Sequence, residues 1–298
     1  METTILHTQP LVDALIPQVK SAVAALPAAP TLAVVLVGDD PASIIYVNKK
    51  KEAIENLGGN CCVHHLGRGT TQELLESTLR TLNEDSSIHG VLLQVPLPKM
   101  LNASRALNII HPSKDVDGLT ETSWKNMEQQ ANHIFYPATP LGVMRLLQWI
   151  QVKLEHKKTV VVGRSRLVGK PLTEMLRQQN TEITTFSKEH PIQQGIIKDA
   201  DIIISAAGCA GLITGDMIKQ GAVVIDIGVN AVNSHTKKRK VVGDVIQAEA
   251  IGKASYLTPV PGGVGRLTVI SLITNLVEAA AIQQSRPTPT WEIPTFNT

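Results

Sequence analysis

The chain of 298 residues is long enough to bury a sizeable core, and its length suggests two domains. Hydrophobic residues make up 43% of it and aromatic residues only 3%, which excludes a disordered chain and favours buried parallel strands over an antiparallel sandwich. The 28 basic and 26 acidic residues leave a net charge of +2, so the charge favours neither nucleic acid nor an anionic membrane as a partner.

The cysteines and the first residues favour a cytoplasmic protein. Cys61 and Cys62 are adjacent and Cys209 is distant, which suits neither a disulfide framework nor a zinc site, and no metal is expected. The start "METTILHTQP" lacks the basic region and apolar core of a signal peptide, and no apolar run approaches the about 18 residues of a membrane span. We therefore expect a soluble protein of a reducing compartment.

Strand-like and helical patterns alternate through the first part of the chain. The strand-like runs are "LAVVLVG" (32–38), "CCVHHLG" (61–67) and "GVLLQVPLP" (90–98), and the helical patterns that follow them are 41–58, 71–83 and 102–110. Strands separated by helices predict a parallel sheet with right-handed crossovers.

Three consecutive lysines lie in the helical pattern "PASIIYVNKKKEAIENLG" (41–58). Lys50 falls on the apolar face of this helix, one turn after Tyr46. Lys49 and Lys51 are rotated to either side, and Lys51 has a glutamate four residues on, a pairing typical of solvated lysines. A lysine that points inward is unfavourable unless it has a partner or a chemical task, so the pattern singles out Lys50.

A second alternating series begins near residue 139, where Thr139 is predicted to cap a helix. Its strand-like runs are "KTVVVG" (158–163), "TEITTF" (181–186), "ADIIISAAG" (200–208), "AVVIDIGVN" (222–230) and "ASYLTPV" (254–260). Two such series predict an α/β protein of two domains with parallel sheets around a cleft. The first domain is 1–138, joined by a C-terminal helical segment 267–298, and the second, Rossmann-like, domain is 139–266. The basic run "KKRK" (237–240) is predicted at a hairpin tip.

The turn after the first strand of the second domain suits a dinucleotide phosphate. In "TVVVGRSRLVGKPLTEML", Gly163 ends the strand and Gly169 lets the next helix approach closely, while backbone N–H groups at the helix start can hold a phosphate. Ser165 stands where a GxGxxG motif has its second glycine, and Leu167 excludes the GxSxG elbow of hydrolases. From this segment alone, a plain structural turn is an equally good interpretation.

The end of the next strand favours NADP over NAD. An NAD enzyme usually carries Asp or Glu at this place, where it holds a ribose hydroxyl. Here the sequence is Phe186-Ser187-Lys188, with Arg164 on the neighbouring turn, and a hydroxyl with cations suits a 2′-phosphate. Glu189 lies close enough to leave NAD open.

Six motifs in order closely resemble one enzyme family. The segments are "VGDDPASIIYVNKKKEAIENLG", "GVLLQVPLP", "HPSKDVDGL", "VVVGRSRLVGKP", "KVVGDV" and "TPVPGGVG", and the family is methylenetetrahydrofolate dehydrogenase/cyclohydrolase. The resemblance implies two α/β domains around a cleft and a homodimer. It also implies oxidation of 5,10-methylenetetrahydrofolate with NADP, followed by hydrolysis of the methenyl product to 10-formyltetrahydrofolate.

The same resemblance names the residues of a folate site. The family's catalytic lysine corresponds to Lys50, its folate-stacking tyrosine to Tyr46, and its glutamine, which can hydrogen-bond the lysine amine, to Gln94. Its folate-anchoring aspartate corresponds to Asp117, whose carboxylate would accept two hydrogen bonds from the pterin. Gln94 could instead satisfy the backbone near a strand end, and "DVDG" could be only a turn.

One loop and the cofactor-binding residues complete the expected site. Pro261-Gly262-Gly263 resembles the segment beside both ligands, where glycines permit close approach of the backbone. A desolvated Lys50 held by Gln94 is expected to have a lowered pKa and to exchange the proton during hydrolysis. The expected cofactor-binding residues are Gly163, Arg164, Ser165, Ser187, Gly208 and Val229.

The sequence also departs from the family pattern. "TETSWKNMEQQ" stands where the family has an Asn and a Gly in a loop, and the remaining departures are Ala138 for Cys, Phe186 for His, and Arg266-Leu267 for Pro-Met. Three alternatives are considered, of which the departures suggest the first. These are a dehydrogenase with weak cyclohydrolase activity or an altered folate substrate, a non-catalytic folate- or nucleotide-binding paralogue, and an unrelated Rossmann dehydrogenase.

Overall fold

The computed structural model describes residues 2–131, 135–233 and 239–296 of an α/β protein. The strands are β1 (Thr4–Ile5), β2 (Thr31–Val37), β3 (Asn60–Leu66), β4 (Gly90–Leu93), β5 (Lys158–Val162), β6 (Glu182–Phe186), β7 (Ile202–Ser205), β8 (Val223–Asp226), β9 (Asn230–Asn233), β10 (Arg239–Val242) and β11 (Tyr256–Leu257). The α-helices are α1 (Gln9–Ala24), α2 (Pro41–Asn56), α3 (Gln72–Glu84), α4 (Ala103–Leu107), α5 (Glu121–Glu128), α6 (Ala138–Trp149), α7 (Gly169–Arg177), α8 (Gln194–Lys198), α9 (Gln247–Ala250) and α10 (Val264–Gln283). Short 3-10 turns span Pro112–Lys114 and Gly215–Met217.

The chain divides into two compact units, which we name after their sheets. The three-stranded unit comprises Ala14–Ala138 and Val269–Glu292. The six-stranded unit comprises Met1–Asp13, Thr139–Thr268 and Ile293–Thr298. Both sheets are parallel, so the predicted α/β class with two parallel sheets is confirmed.

The three-stranded sheet has the order β3-β2-β4. Its central strand β2 is buried from Leu32 onward, and Leu75 and Leu79 of α3 pack in the same core. The helix begins where the sequence predicts, because the Thr71 hydroxyl accepts a hydrogen bond from the Leu74 backbone N–H (3.2 Å). The third predicted strand is shorter than expected and ends at Leu93.

The six-stranded sheet has the order β1-β11-β8-β7-β5-β6. Strands β7 and β8 are buried along their whole length, as predicted from their near-continuous Val and Ile runs. The reversal of strand order beside β5 is the kind of position where α/β proteins bind nucleotides, at the carboxyl ends of the strands.

The division differs from the predicted domain boundaries at both chain ends. β1 pairs with β11, with Thr4 opposite Tyr256, so the chain up to Asp13 belongs to the six-stranded unit. The last residues belong there too, because the Phe296 backbone N–H donates to the Trp149 carbonyl (2.8 Å) and their ring centroids are 4.5 Å apart. A strand of two residues carries no periodic signal, which explains the difference.

Two helices begin earlier than predicted. α6 starts at Ala138, so Thr139 lies inside it rather than capping it, and its hydroxyl is 3.0 Å from that of Thr268. α10 starts at Val264, whereas the predicted helical segment starts at residue 267. It has 20 residues and is long and apolar enough to cross a membrane, which the sequence analysis did not predict. Since 67% of its apolar window is buried inside the protein, it has the character of a core helix.

β9 and β10 form an antiparallel pair, with Val232 opposite Lys240, so Lys240 of the basic run lies in a strand rather than at a hairpin tip. The pair is separate from the two parallel sheets. Lys237 and Lys238 of the basic run lie outside the described residues.

Candidate active site

Helix α2 holds Lys50 in the orientation that the sequence predicts. Asp40 caps the helix by accepting a hydrogen bond from the Ser43 backbone N–H (2.9 Å). Val47 and Ile54 are buried on one face. Lys50 lies between them, one turn from each, and is partly buried.

The neighbours of Lys50 on α2 have different surroundings. Lys49 is exposed, and the Lys51 side chain, 44% exposed, forms the predicted ion pair with Glu55 at 3.8 Å. Tyr46 precedes Lys50 by one turn and is 45% exposed, so much of its ring is not covered by the protein. Lys51 thus has the partner that the helical pattern predicts, and a catalytic role for Lys50 alone stays a prediction.

Gln94 supplies the partner of Lys50. The lysine Nζ donates a hydrogen bond to Gln94 Oε1 (3.2 Å). Gln94 follows β4, and its backbone N–H continues the sheet by donating to the Val35 carbonyl (2.9 Å). Its Nε2 donates to the Val95 carbonyl (2.7 Å), which fixes the carboxamide with its oxygen toward the lysine. Gln94 therefore satisfies local backbone and also holds the amine, so both sequence interpretations are correct.

The surroundings of Lys50 disfavour its protonated, positively charged form. Burial lowers the pKa of Lys50, and the nearby Asp117 carboxylate and Cys61 thiol only partly oppose this effect. Burial likewise raises the pKa of Asp117 to about 6, offset in part by Lys50 and increased by Asp115. Burial also raises the pKa of Cys61 to about 11, so this thiol stays protonated at neutral pH. The site thus holds an amine and a carboxyl whose pKa values are shifted toward each other.

The two aspartates of "KDVDG" have different surroundings. The Asp115 carboxylate accepts hydrogen bonds from the backbone N–H groups of Leu119 (3.1 Å) and Thr120 (2.8 Å) and from the Ser123 hydroxyl (2.6 Å). Asp115 therefore closes the turn. No described residue donates a hydrogen bond to the Asp117 carboxylate, which is partly exposed and retains its acceptor capacity.

The loop Pro261–Gly263 belongs to the six-stranded unit, whereas Tyr46, Lys50, Gln94 and Asp117 belong to the three-stranded unit. The loop is held by Thr8, whose hydroxyl donates to the Gly263 carbonyl (2.8 Å). The Thr8 backbone N–H also donates to the Gly262 carbonyl (3.5 Å).

The six-stranded unit contains a cavity of about 580 Å³ at the carboxyl ends of β5, β6 and β7. Four predicted cofactor residues line it, and these are Gly163, Arg164, Ser165 and Ser187. Gly208 lies between the lining residues Ala207 and Cys209 without lining the cavity itself. Val229 does not line it and is 55% exposed. The structure therefore brings four of these six residues together.

The glycines of the β5–α7 turn allow a close backbone approach. Gly163 has φ +111°, and a Cβ added there would lie 2.3 Å from the Ala206 carbonyl oxygen. A Cβ on Gly169 would lie 1.9 Å from the Gly163 carbonyl oxygen. The Ser165 hydroxyl accepts a hydrogen bond from the Val168 backbone N–H (3.2 Å) at the start of α7. A strand, a tight turn, a helix start and an adjoining cavity together fit a dinucleotide.

The departures from the family pattern lie mostly in packed structure. Phe186 is buried in the core of the six-stranded unit, away from solvent. Ala138 and Leu267 are also buried. Residues 121–128 form α5, and the Thr120 hydroxyl caps this helix by accepting a hydrogen bond from the Ser123 backbone N–H (3.0 Å). None of these changes removes the Lys50–Gln94 contact.

Asp244 is a residue that the sequence reasoning missed. Its buried carboxylate accepts hydrogen bonds from the Ser205 hydroxyl, from the Asn230 side-chain amide and from three consecutive backbone N–H groups, those of Ala207 (2.7 Å), Gly208 (3.2 Å) and Cys209 (2.9 Å). It therefore fixes the loop after β7 that lines the cavity. The motif "KVVGDV" contains it, and an acid beside a buried strand is the signal that could have identified it.

Both units match one protein family. Residues 6–117 match the catalytic domain of tetrahydrofolate dehydrogenase/cyclohydrolase, and residues 137–284 match the NAD(P)-binding domain of the same family. The two matches together cover most of the chain.

Relatives support this assignment. The bifunctional protein FolD of Moorella thermoacetica is 45% identical over 251 residues, which cover 84% of this chain and 88% of that protein. The crystal structure of bifunctional FolD from Campylobacter jejuni has a TM-score of 0.89 at 37% identity, covering 94% of this chain and 99% of that one. The structure of Trypanosoma brucei FolD, complexed with NADP cofactor and inhibitor, has a TM-score of 0.91 at 32% identity, covering 96% and 100%. The chain therefore belongs to the tetrahydrofolate dehydrogenase/cyclohydrolase family.

Proposed function

We propose that this protein oxidises 5,10-methylenetetrahydrofolate to the methenyl compound with NADP, and then hydrolyses that compound to 10-formyltetrahydrofolate. The family assignment supports the pair of reactions. The observation that carries the proposal for this chain is the hydrogen bond from Lys50 to Gln94 beside Asp117. A non-catalytic paralogue would have no reason to retain a buried amine with a lowered pKa at this position.

The folate would be held by Asp117 and Tyr46. Because no described residue donates to the Asp117 carboxylate, it can accept two hydrogen bonds from the amino and ring N–H groups of the pterin. The exposed Tyr46 ring offers a surface for stacking.

Lys50 would carry the proton steps of the hydrolysis. Water adds to the methenyl carbon and loses a proton, which gives a neutral hydroxyl adduct. The bond from that carbon to one ring nitrogen then breaks as the nitrogen gains a proton, and the hydroxyl loses its remaining proton to become the formyl carbonyl, so that one proton is released overall. Because burial lowers the pKa of Lys50, its neutral form is more accessible than that of an ordinary lysine, so the amine can accept the first proton and later donate one. Gln94 keeps the amine in place and accepts one of its N–H groups.

The dinucleotide would be held in the 580 Å³ cavity of the six-stranded unit. The chemistry that NADP supplies when bound is acceptance of a hydride from the methylene carbon. Gly163, Ser165 and the start of α7 suit its diphosphate, and Arg164 with Ser187 suits a 2′-phosphate. Two further residues, Gly208 and Val229, are proposed to contact the cofactor from outside this cavity. The loop Pro261–Gly263 is proposed to lie beside both ligands. We further propose a homodimer, which the family resemblance implies, and a cytoplasmic location.

One assay tests the proposed function. Purified protein is mixed with 5,10-methylenetetrahydrofolate and either NADP or NAD, and formation and decay of the methenyl compound are followed by absorbance. We expect both phases with NADP. Absence of nucleotide reduction and of methenyl hydrolysis would overturn the proposal, and reduction without hydrolysis would favour the alternative of a dehydrogenase with weak cyclohydrolase activity.

A further inference from the structure

A tight turn after β6 brings a carboxylate into the same cavity as the cations. The Ser187 backbone N–H donates to the His190 carbonyl (2.8 Å), and the His190 backbone N–H donates to the Ser187 hydroxyl oxygen (3.3 Å). The Ser187 hydroxyl donates in turn to Glu189 Oε2 (2.7 Å). Glu189 lines the cavity together with Arg164 and Lys188. The turn therefore presents both an anion and its cationic neighbours.

The contact between Ser187 and Glu189 limits what Ser187 can offer to a ligand. A serine hydroxyl has a single hydrogen, and here that hydrogen is given to Glu189. A 2′-phosphate could use it only by displacing the carboxylate. The pKa of Glu189 is lowered by the Ser187 hydrogen bond and also by His190 and Arg164, so the carboxylate is charged at neutral pH. A phosphate entering beside it would meet a like charge.

The same carboxylate is a suitable acceptor for an unphosphorylated ribose. In dinucleotide-binding domains, an acid beyond the end of the second strand accepts hydrogen bonds from ribose hydroxyls of NAD, whereas an arginine nearby accommodates the phosphate of NADP. This cavity has both groups, with Glu189 on the turn after β6 and Arg164 on the turn after β5. Neither nucleotide is excluded by the residues present.

We propose that Glu189 sets the cofactor selectivity of this protein: it occupies the Ser187 hydroxyl, opposes the 2′-phosphate of NADP and accepts the ribose hydroxyl of NAD, so that the protein uses both dinucleotides. This inference rests on the cofactor site of the proposed function. A Glu189 that merely stabilised the turn would affect both nucleotides alike, because both need the same backbone.

Binding measurements test the inference without turnover. NADP and NAD are each titrated by calorimetry into the full-length protein, into Glu189→Ala and Glu189→Gln, and into the control Glu182→Gln, an exposed acid at the opposite end of β6. Glu189→Ala should tighten NADP binding and weaken NAD binding, each by about 3- to 10-fold, the range of one net hydrogen bond or a modest charge effect. Glu189→Gln should recover only the part of the NADP gain that comes from charge. Glu182→Gln should leave the ratio of the two affinities unchanged.

A double-variant cycle isolates the Ser187 hydroxyl. Ser187→Ala should weaken NADP less while Glu189 is present than in its absence, because the hydroxyl is already engaged. In the Glu189→Ala background, the same change should weaken NADP by about fivefold, because the freed hydroxyl then contacts the phosphate.

The outcomes distinguish a failure of the proposed function from a failure of the proposed role of Glu189. If the unmodified protein binds neither dinucleotide, the proposed function and this inference both fail. If it binds them but Glu189→Ala leaves the ratio of affinities unchanged, or Ser187→Ala has the same effect in both backgrounds, only the role of Glu189 is overturned.

Discussion

Asp117 in the three-stranded unit and Asp244 in the six-stranded unit differ in how far their carboxylates are hydrogen-bonded. Asp244 is fully buried and its two oxygens accept five hydrogen bonds from its own unit. Asp117 is partly buried, accepts none from the described residues, and has a pKa raised to about 6. The saturated carboxylate holds structure, and the unsatisfied one retains the capacity to bind a ligand.

The same contrast extends to the surroundings of each aspartate. Beside Asp117, Lys50 is held by one side-chain contact and its charge is disfavoured, so the site is arranged for chemistry. Beside Asp244, the backbone N–H groups of the loop after β7 are held in place, and this loop lines the cavity. Substitutions should therefore affect mainly activity in the first region, and mainly stability and nucleotide affinity in the second.

The largest expected effect is that of Lys50→Met on hydrolysis of the methenyl compound. Methionine retains the bulk of the stem and removes the amine, so the protein should fold while cyclohydrolase activity falls by about 10²- to 10⁴-fold, the usual contribution of general acid–base catalysis. Dehydrogenase activity should fall less, because hydride transfer depends on alignment rather than on a proton shuttle. Separate assays of methenyl decay and nucleotide reduction measure the two activities.

The neighbouring lysines are the matched controls. Lys49→Met and Lys51→Met should each leave both activities within about threefold, since an exposed ion pair such as Lys51–Glu55 contributes less than about 1 kcal/mol. Loss of turnover in either control, with Lys50→Met active, would assign the shuttle to a different lysine.

Asp244→Asn should have the next largest effect, and it should act on stability. The amide replaces an acceptor with a donor that faces backbone N–H groups, so the free energy of unfolding should fall by about 3 kcal/mol. Urea unfolding measures this change. Ser205→Ala, which removes one of the donors to Asp244, should cost only about 1 kcal/mol. Equal losses in the two variants would contradict the view of Asp244 as the centre of the network.

Arg164→Ala should weaken NADP more than NAD. The loss of a charge-assisted hydrogen bond to a 2′-phosphate is worth about 1.5–3 kcal/mol, or roughly 10- to 150-fold in affinity. Calorimetric titration of both nucleotides gives the comparison, and equal losses for the two would count against a 2′-phosphate site at this arginine.

Much of this arrangement could be predicted from the sequence because it is local. The register of Lys50 follows from a helical pattern of a few turns with a recognisable cap at Asp40. The partner Gln94 was named through a family motif, because it is 44 positions away in the chain. Asp244 was assigned no role because its contact with Ser205 also joins distant positions, 39 apart in the chain. No local sequence pattern predicts such a contact.

The smallest expected effect concerns the dependence of stability on pH at Asp117. The carboxyl has a pKa of about 6 in the folded protein and 3.8 as its ordinary value, so between about pH 4 and 6 the folded state binds more protons than the unfolded state. The free energy of unfolding contributed by this group therefore falls as the pH rises through that window. Asp117→Asn removes the titration, so the variant should gain stability relative to the unmodified protein by on the order of 1 kcal/mol from pH 4 to pH 7.

Asp115→Asn is the control that sharpens this last prediction, because the two aspartates lie in the same turn. Its carboxylate accepts three hydrogen bonds, so its replacement should lower the free energy of unfolding by about 2 kcal/mol. Urea unfolding at pH 4.5 and 7 measures both variants. Opposite signs at pH 7 would support the division between a structural and a ligand-binding aspartate, and destabilisation by both would show that Asp117 has partners in the folded protein. Folate affinity gives a second readout, since the more stable Asp117→Asn protein should nevertheless bind the pterin more weakly.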